Sequence, residues 1–405
     1  METTPTVRFL DRTTPPHILT LVLLAGLGAM NMSAFLPSLP AMTEYFGTTY
    51  GVMQLSVSLY LATTAFIQLG VGPLSDRFGR RPINIGFISI FIVASLGCMM
   101  APTVEIFLMF RMLQGAVAAA FVISRAIIRD MVPQEQAASM IGYVTMGMAL
   151  VPMVAPMIGG LLDELFGWQA TFLFLAGFGV FVMTLAWFDQ GETAVSAGKP
   201  FSEQVKEYPE LLRSRRFWGY VFAAAFASGA FFAFLGGSPY VATEVFGLSA
   251  FWSGVGFGAP AVGYGLGNFL SGRYSVRFGL NWMIRTGSII TAGGLGVACL
   301  LAAAGFDNAW LFFGSCTFVG IGNGLIMPNA SAGMLSVRPQ LAGTASGLGA
   351  SILIGGGAGL SAFAGVVLLW GSGSLPLLLL MTWSAIMALV SVYYVERRER
   401  QLNLS

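Results

Sequence analysis

Nine stretches of 21 to 31 consecutive residues contain no Asp, Glu, Lys or Arg: 13–43, 45–75, 82–104, 136–162, 165–188, 217–243, 245–272, 286–306 and 308–337. About 20 apolar residues in a helix cross the ~30 Å hydrocarbon core of a bilayer, so each stretch can span once. The run 339–395, of 57 residues, suits two spans with a turn near Gly371–Gly373. Residues 106–128 make one more, interrupted by Arg111 and Arg125. The expectation is an all-α integral membrane protein with twelve transmembrane helices. A β-barrel would show alternating segments of about 10 residues, and these runs do not alternate. Charged residues make up 9% of the chain and hydrophobic ones 56%, against roughly 25% charged in a soluble domain, which excludes a soluble enzyme.

The cations fix an orientation. With an even number of spans both termini share one side. Arg8, Arg12, Arg77, Arg80, Arg81, Arg129, Lys199, Lys206, Arg213, Arg215, Arg216, Arg273, Arg277, Arg338, Arg397, Arg398 and Arg400 fall on that side, with Arg125 and Arg285 within a turn or so. The opposite loops hold Glu44, Glu105, Asp163, Glu164, Glu244 and Asp307 and no Lys or Arg. The positive-inside rule then places the termini in the cytoplasm. Arg111 is the one cation well inside the membrane. Cys98, Cys299 and Cys316 lie in apolar runs with neither disulfide nor metal spacing. The first apolar run is too long for a removable signal peptide.

The halves repeat at an offset of 200. Thr43-Glu44-Tyr45-Phe46-Gly47 matches Thr243-Glu244-Val245-Phe246-Gly247, and the segment Gly72 to Gly79 matches Gly272 to Gly279 through Ser75/Ser275, Arg77/Arg277 and Phe78/Phe278. Pro133-Gln134 recurs as Pro339-Gln340. A duplicated six-helix unit follows: a first bundle over residues 1–188, a cytoplasmic linker over 189–213, and a second bundle with a short tail over 214–405. Such repeats are the plan of secondary transporters, with the substrate site near the midplane between them. No Walker-type GxxxxGK[ST] occurs, so energy must come from a gradient. The midplane has no nucleophile–base pair or metal-ligand cluster, so neither enzyme activity, cofactor nor metal is expected. Nor do basic patches suggest nucleic acid.

Three motifs carry a family resemblance. Gly72-Pro-Leu-Ser-Asp76-Arg77-Phe78-Gly79-Arg80-Arg81-Pro82, between helices 2 and 3, resembles motif A of the major facilitator superfamily. Arg111-Met-Leu-Gln114-Gly115 resembles motif B, and Ala155-Pro156-Met-Ile-Gly159-Gly160 is similar to motif C, with Val151 and Ala155 where glycines are usual. Leu36-Pro37-Ser38-Leu39-Pro40, Ser124-Arg125-Ala126-Ile127-Ile128-Arg129-Asp130 and Gly167-Trp168-Gln169 resemble the bicyclomycin-resistance (Bcr/CflA) type of drug:proton antiporter. The resemblance implies efflux of small, largely hydrophobic compounds across the inner membrane in exchange for protons, by a monomer in membrane lipid. It assigns gating to Gly72, Asp76, Arg77, Gly79, Arg80, Arg81, Pro156, Gly159 and Gly160.

One departure bears on coupling. That group usually has an acid in helix 1 four residues before the first Pro of LPxLP, and here the position is Ser33. No helix carries Asp or Glu near its middle, although proton coupling normally needs a titrating group in a restricted cavity. Arg111 and Asp130 remain as coupling candidates, Asp130 being flanked by Arg125 and Arg129. Arg111 is expected either to brace helix 4 against helix 1 through Asn31, Gln114 or backbone carbonyls, or to face the cavity and meet a polar or anionic part of the substrate. The latter use would make the chain a carrier for an anionic or zwitterionic metabolite, without conventional proton coupling. Depth along each run nominates Met30, Asn31, Tyr60, Arg111, Tyr143, Met146, Phe231, Phe234, Tyr264, Asn268 and Asn323 as substrate-lining residues. Aromatic and Met side chains give adaptable apolar contacts, and amides give orientation.

Overall fold

The computed structural model describes residues 7–132, 140, 144, 151–194, 212–338, 342–370 and 373–401. Among these every regular element is helical and no strand occurs. Hydrocarbon offers no partner for a backbone N–H or C=O, and a helix pairs these groups within one segment. In chain order the helices are α1 (Ile18–Tyr45), α2 (Tyr50–Phe78), α3 (Arg80–Met99), α4 (Val104–Met131), α5 (Val151–Phe166), α6 (Gln169–Asp189), α7 (Arg215–Val245), α8 (residues 250–278), α9 (Leu280–Ala303), α10 (Ala309–Val337), α11 (Ala342–Val367) and α12 (Leu375–Gln401).

Ten of the helical segments are long and apolar enough to cross a membrane. The other two of the twelve expected spans are α5, described from Val151, and α8. The latter is glycine-rich and consists of Ala250–Gly256 and Gly258–Phe278, joined at Phe257. Two further helices bend where their sequence requires it. Pro37 and Pro40 lack an N–H, and α1 passes through a 3-10 turn at Leu36–Ser38. Helix α4 tightens into a 3-10 turn at Gln114–Val117, directly after Arg111.

The 200-residue repeat reappears in the backbone. Gly47 and Gly247 have φ of 59° and 64°, and Gly79 and Gly279 have φ of 95° and 83°. These left-handed positions close α1 and α7, then α2 and α8, and suit glycine because they would strain any L side chain. The recurring Pro133-Gln134 and Pro339-Gln340, and Gly371 of the expected last turn, lie outside the described residues.

Helices meet at glycines. A Cβ on Gly324 of α10 would stand 2.6 Å from both the Tyr264 carbonyl oxygen and the Asn268 nitrogen of α8. One on Gly320 would collide with the Pro260 carbonyl. Lipid chains are as apolar as Leu, so close backbone approach, not hydrophobic burial, holds such pairs.

The two bundles touch at the face whose loops hold no cation. Tyr50 donates its hydroxyl to the Gly236 carbonyl at 2.8 Å, and Gln54 Nε2 donates to Ser361 Oγ at 2.9 Å. Phe251 N donates to Glu164 Oε1 at 2.9 Å. Ser351 Oγ reaches the Ala65 carbonyl at 3.4 Å, deeper along α2 and α11. Among the described residues, no hydrogen bond joins the bundles nearer the cation-rich face.

Gly320→Leu forces α8 and α10 apart. Overpacking of this kind costs typically 1–3 kcal/mol. A marked loss of monodisperse protein on size exclusion in detergent is expected, whereas wild-type elution and melting would contradict the backbone contact.

Candidate transport site and gates

The deepest charge is sealed. Arg111 is 0% exposed. Its guanidinium lies over the rings of Phe35 and Tyr60, at 4.0 and 4.5 Å from their centroids. Nη1 donates to Asn31 Oδ1 at 2.9 Å and to Gln114 Oε1, while Nη2 donates to the Asn31 carbonyl at 3.2 Å. That carbonyl is free because Asn31 lies in the last turn of Ile18–Ser33, where the intrahelical ladder ends. The 3-10 turn at Gln114 places that side chain three residues from Arg111, and Gln114 Nε2 goes on to Ser95 Oγ of α3 at 2.7 Å. Neutral acceptors and two π faces thus replace a carboxylate, each desolvated cation–π contact contributing about 2 kcal/mol.

This geometry is the brace between α1 and α4. In this conformation the guanidinium is fully buried, so direct contact with a solute would require it to be uncovered. Ser33, where an acid is usual in the resembling group, is also buried, and its hydroxyl is committed to the Ala29 carbonyl at 3.0 Å.

The other nominated lining residues divide. Asn31 and Tyr60 are buried with Arg111, and Tyr60 Oη reaches the Gly28 carbonyl at 3.4 Å. Phe234 is buried among Phe257, Phe312 and Phe313, and Asn323 is buried as well. These four are buried in the packing between helices. Met30, Phe231, Tyr264 and Asn268 are half-buried, and Asn268 Nδ2 donates to the Tyr264 carbonyl at 2.8 Å. Tyr143 and Met146 lie outside the described residues.

The cation-rich face carries a lock built on the loop between α2 and α3. Arg80 pairs with Asp76 one turn earlier, with Asp130 of α4 at 3.0 Å, and with Ser75 Oγ at 2.6 Å. Asp130 is therefore held by Arg80 and not by its sequence neighbours Arg125 and Arg129 among the described ion pairs. Positions one and five apart on a helix do not face each other. Gly79 leaves the first N–H groups of α3 unpaired, and Glu192 caps them, accepting from Arg80 N at 2.8 Å and Arg81 N at 3.2 Å. Arg81 also donates to the Trp187 carbonyl at 3.0 Å. Gly72 accepts from Ser75 Oγ through its carbonyl, and Arg77 lies exposed over Phe78.

Glu192 was not legible as functional because it sits in the expected linker, without a local pattern. The same holds for Asp189. It is buried and accepts from Leu10 N at 2.7 Å, His17 N at 2.8 Å and Thr20 Oγ1 at 2.6 Å. Asp189 and Glu192 thus tie the start of the expected linker to the first bundle. The second bundle has no such lock at the matching loop, where Val276 and Leu280 replace Asp76 and Arg80.

At the opposite face the Pro-Gly-Gly segment of α5 is a junction of three helices. A Cβ on Gly159 would collide with the Ala34 carbonyl of α1, and one on Gly160 with the Ala250 carbonyl of α8. Gly254 of α8 in turn abuts the Pro156 carbonyl. Glu164 completes the junction across the bundles through Phe251 N.

Comparisons with known proteins agree with this architecture. The Major Facilitator Superfamily model matches residues 21–362. A chloramphenicol resistance protein of Pseudomonas aeruginosa is 31% identical over 80% of this chain and 76% of its own length. Multidrug resistance protein D of Escherichia coli (strain K12) is 28% identical over 89% and 91% of the two chains. A bicyclomycin resistance protein homolog of Haemophilus influenzae is 28% identical over 94% and 96%. Among solved structures, a bacterial homolog of the human lysosomal transporter Spinster, inward-facing and occupied, superposes with a TM-score of 0.71 at 18% identity, covering 95% of this chain and 96% of that one.

Arg111→Ala orphans Asn31 and Gln114. A buried group left without its partner costs about 1–3 kcal/mol, so the melting temperature falls by several degrees and Gln114→Ala shows a smaller fall in the same direction. An unchanged melting temperature for Arg111→Ala would remove the brace.

Proposed function

The chain belongs to the major facilitator superfamily, and from that premise we propose a drug-type efflux carrier. It exports small, largely hydrophobic compounds across the bacterial inner membrane by alternating access, in exchange for protons, with both termini cytoplasmic. The observation that carries the reading is the distribution of contacts between bundles. They join at the cation-free face through Tyr50, Gln54 and Glu164, which is the arrangement of a carrier closed to the outside. The similar resistance proteins supply the substrate class.

Half-buried Met30, Phe231, Tyr264 and Asn268 give the binding surface. They offer polarizable and aromatic contact with one amide for orientation, a mixture suited to varied apolar cargo. Opening to the outside requires α5 and α8 to separate at Gly160 and Gly254, where backbone meets backbone, and to release the Glu164 bond to Phe251 N. Proton exchange in this reading falls to the lock. A proton on Asp130 would cancel one of the two carboxylates that hold Arg80, loosening α4 from the loop between α2 and α3.

A second reading, an anionic or zwitterionic metabolite carried on Arg111 without proton coupling, draws on the missing interior carboxylate. The burial of Arg111 weighs against direct contact.

In energised everted vesicles, adding a transported compound should release protons from the lumen, read as recovery of a pH-sensitive dye. Asp130→Asn should lose that release while still catalysing counterflow of the labelled compound. Release by the variant at the wild-type rate would exclude Asp130 from coupling, and no response to any of a panel of cationic, neutral and anionic compounds would overturn proton exchange.

A further inference from the structure

One membrane cation takes part in none of these networks. Arg125 lies on α4 six residues before its end at Met131, about 9 Å along the helix. It is half-buried, with its guanidinium over the Phe121 ring at 4.2 Å. Its Nε is buried and, among the described residues, has no hydrogen-bond partner. Among the same residues no carboxylate stands within ion-pair distance of it, Asp130 being bound to Arg80. Tyr264, half-buried on α8 of the other bundle, lies within its electrostatic range. Exposed Arg129 adds positive charge toward the cation-rich face.

An uncompensated guanidinium at this depth works against stability. Arg111 shows what structural use looks like in this fold: two rings and three acceptors close around it. Arg125 has one ring and, at Nε, a donor without a partner among the described residues, and Tyr264 of the second bundle lies within its electrostatic range. A guanidinium presents five N–H donors in a planar fork that matches carboxylate and sulfonate oxygens.

We propose that Arg125, with Phe121 and Tyr264, forms a subsite for the acidic group of an aromatic organic anion entering from the cytoplasmic side. The carboxylate or sulfonate accepts from the open guanidinium donors, and the aromatic body of the cargo packs against Phe121 and Tyr264. The proposal rests on the efflux reading and narrows its substrate class. An anion leaving a negative interior is driven outward by the membrane potential as well as by the exchanged proton.

The test uses the full-length protein in proteoliposomes with an imposed potassium-diffusion potential and no pH gradient. Uptake of a carboxylated aromatic dye and of a neutral aromatic antibiotic is measured for the wild type, Arg125→Met and Arg125→Lys. Wild type should move the dye in the direction set by the potential, and reversing the potential should reverse the flux. Arg125→Met should lower the dye-to-antibiotic uptake ratio at least roughly tenfold, as loss of a charge-assisted partner does. Arg125→Lys, which keeps the charge and loses the fork, should fall between them. Arg125→Met should also melt at or above the wild-type temperature, because it removes a costly charge without leaving a polar orphan. An unchanged ratio overturns the subsite, as does a lowered melting temperature with both uptakes falling together. Wild type that moves the antibiotic but not the dye overturns the subsite and leaves the efflux reading standing. Wild type that moves neither overturns both.

Discussion

Helices immersed in hydrocarbon gain nothing by hiding Leu or Phe from solvent, and the fold therefore depends on how closely backbones can approach. Gly320 and Gly324 bring α10 onto α8, and Gly159 and Gly160 bring α5 onto α1 and α8. At these points backbone meets backbone, so a slide there displaces no glycine side chain. The same residue type that assembles the bundles thus also lets them part.

Polar groups set where that parting is resisted. At one face the resistance is spread over Tyr50, Gln54 and Glu164, each binding a backbone or side-chain group of the opposite bundle. At the other the polar ties of Arg80, Asp76, Asp130 and Glu192 all stay within the first bundle and, among the described residues, hold nothing across. The duplicated halves have diverged accordingly. Val276, 98% exposed, stands where Asp76 does in the first copy, and the second bundle instead ties its cation-rich end with Arg216 to Glu399 at 2.7 Å and Arg285 to Glu396 at 3.2 Å.

The spans and the duplication were legible in the sequence because bilayers exclude charge and because positive-φ glycines are hard to replace; Gly79 and Gly279 are the example. The loop around Arg80 could likewise be recognised from its run of glycines and arginines. Its partners could not. Asp130 is sequence neighbour to two arginines and structural neighbour to a third, while Glu192 follows α6 in a stretch that looks like linker. Nor could depth along a run separate Phe234, packed among rings, from half-buried Phe231 three residues earlier. In lipid the apolar face of a helix does not mark the protein interior, so helical facing leaves no trace in hydropathy.

The sealed guanidinium of Arg111 has a consequence for permeability. A carrier that holds a path open to one side of an energised membrane is exposed to the inward rush of hydronium and metal cations. Arg111 keeps a positive charge about two turns from the start of α4, buried where counter-ions and water cannot screen it. Such a charge raises the barrier to small cations without narrowing the passage for bulky cargo. The brace between α1 and α4 is thereby an electrostatic barrier as well as a mechanical tie.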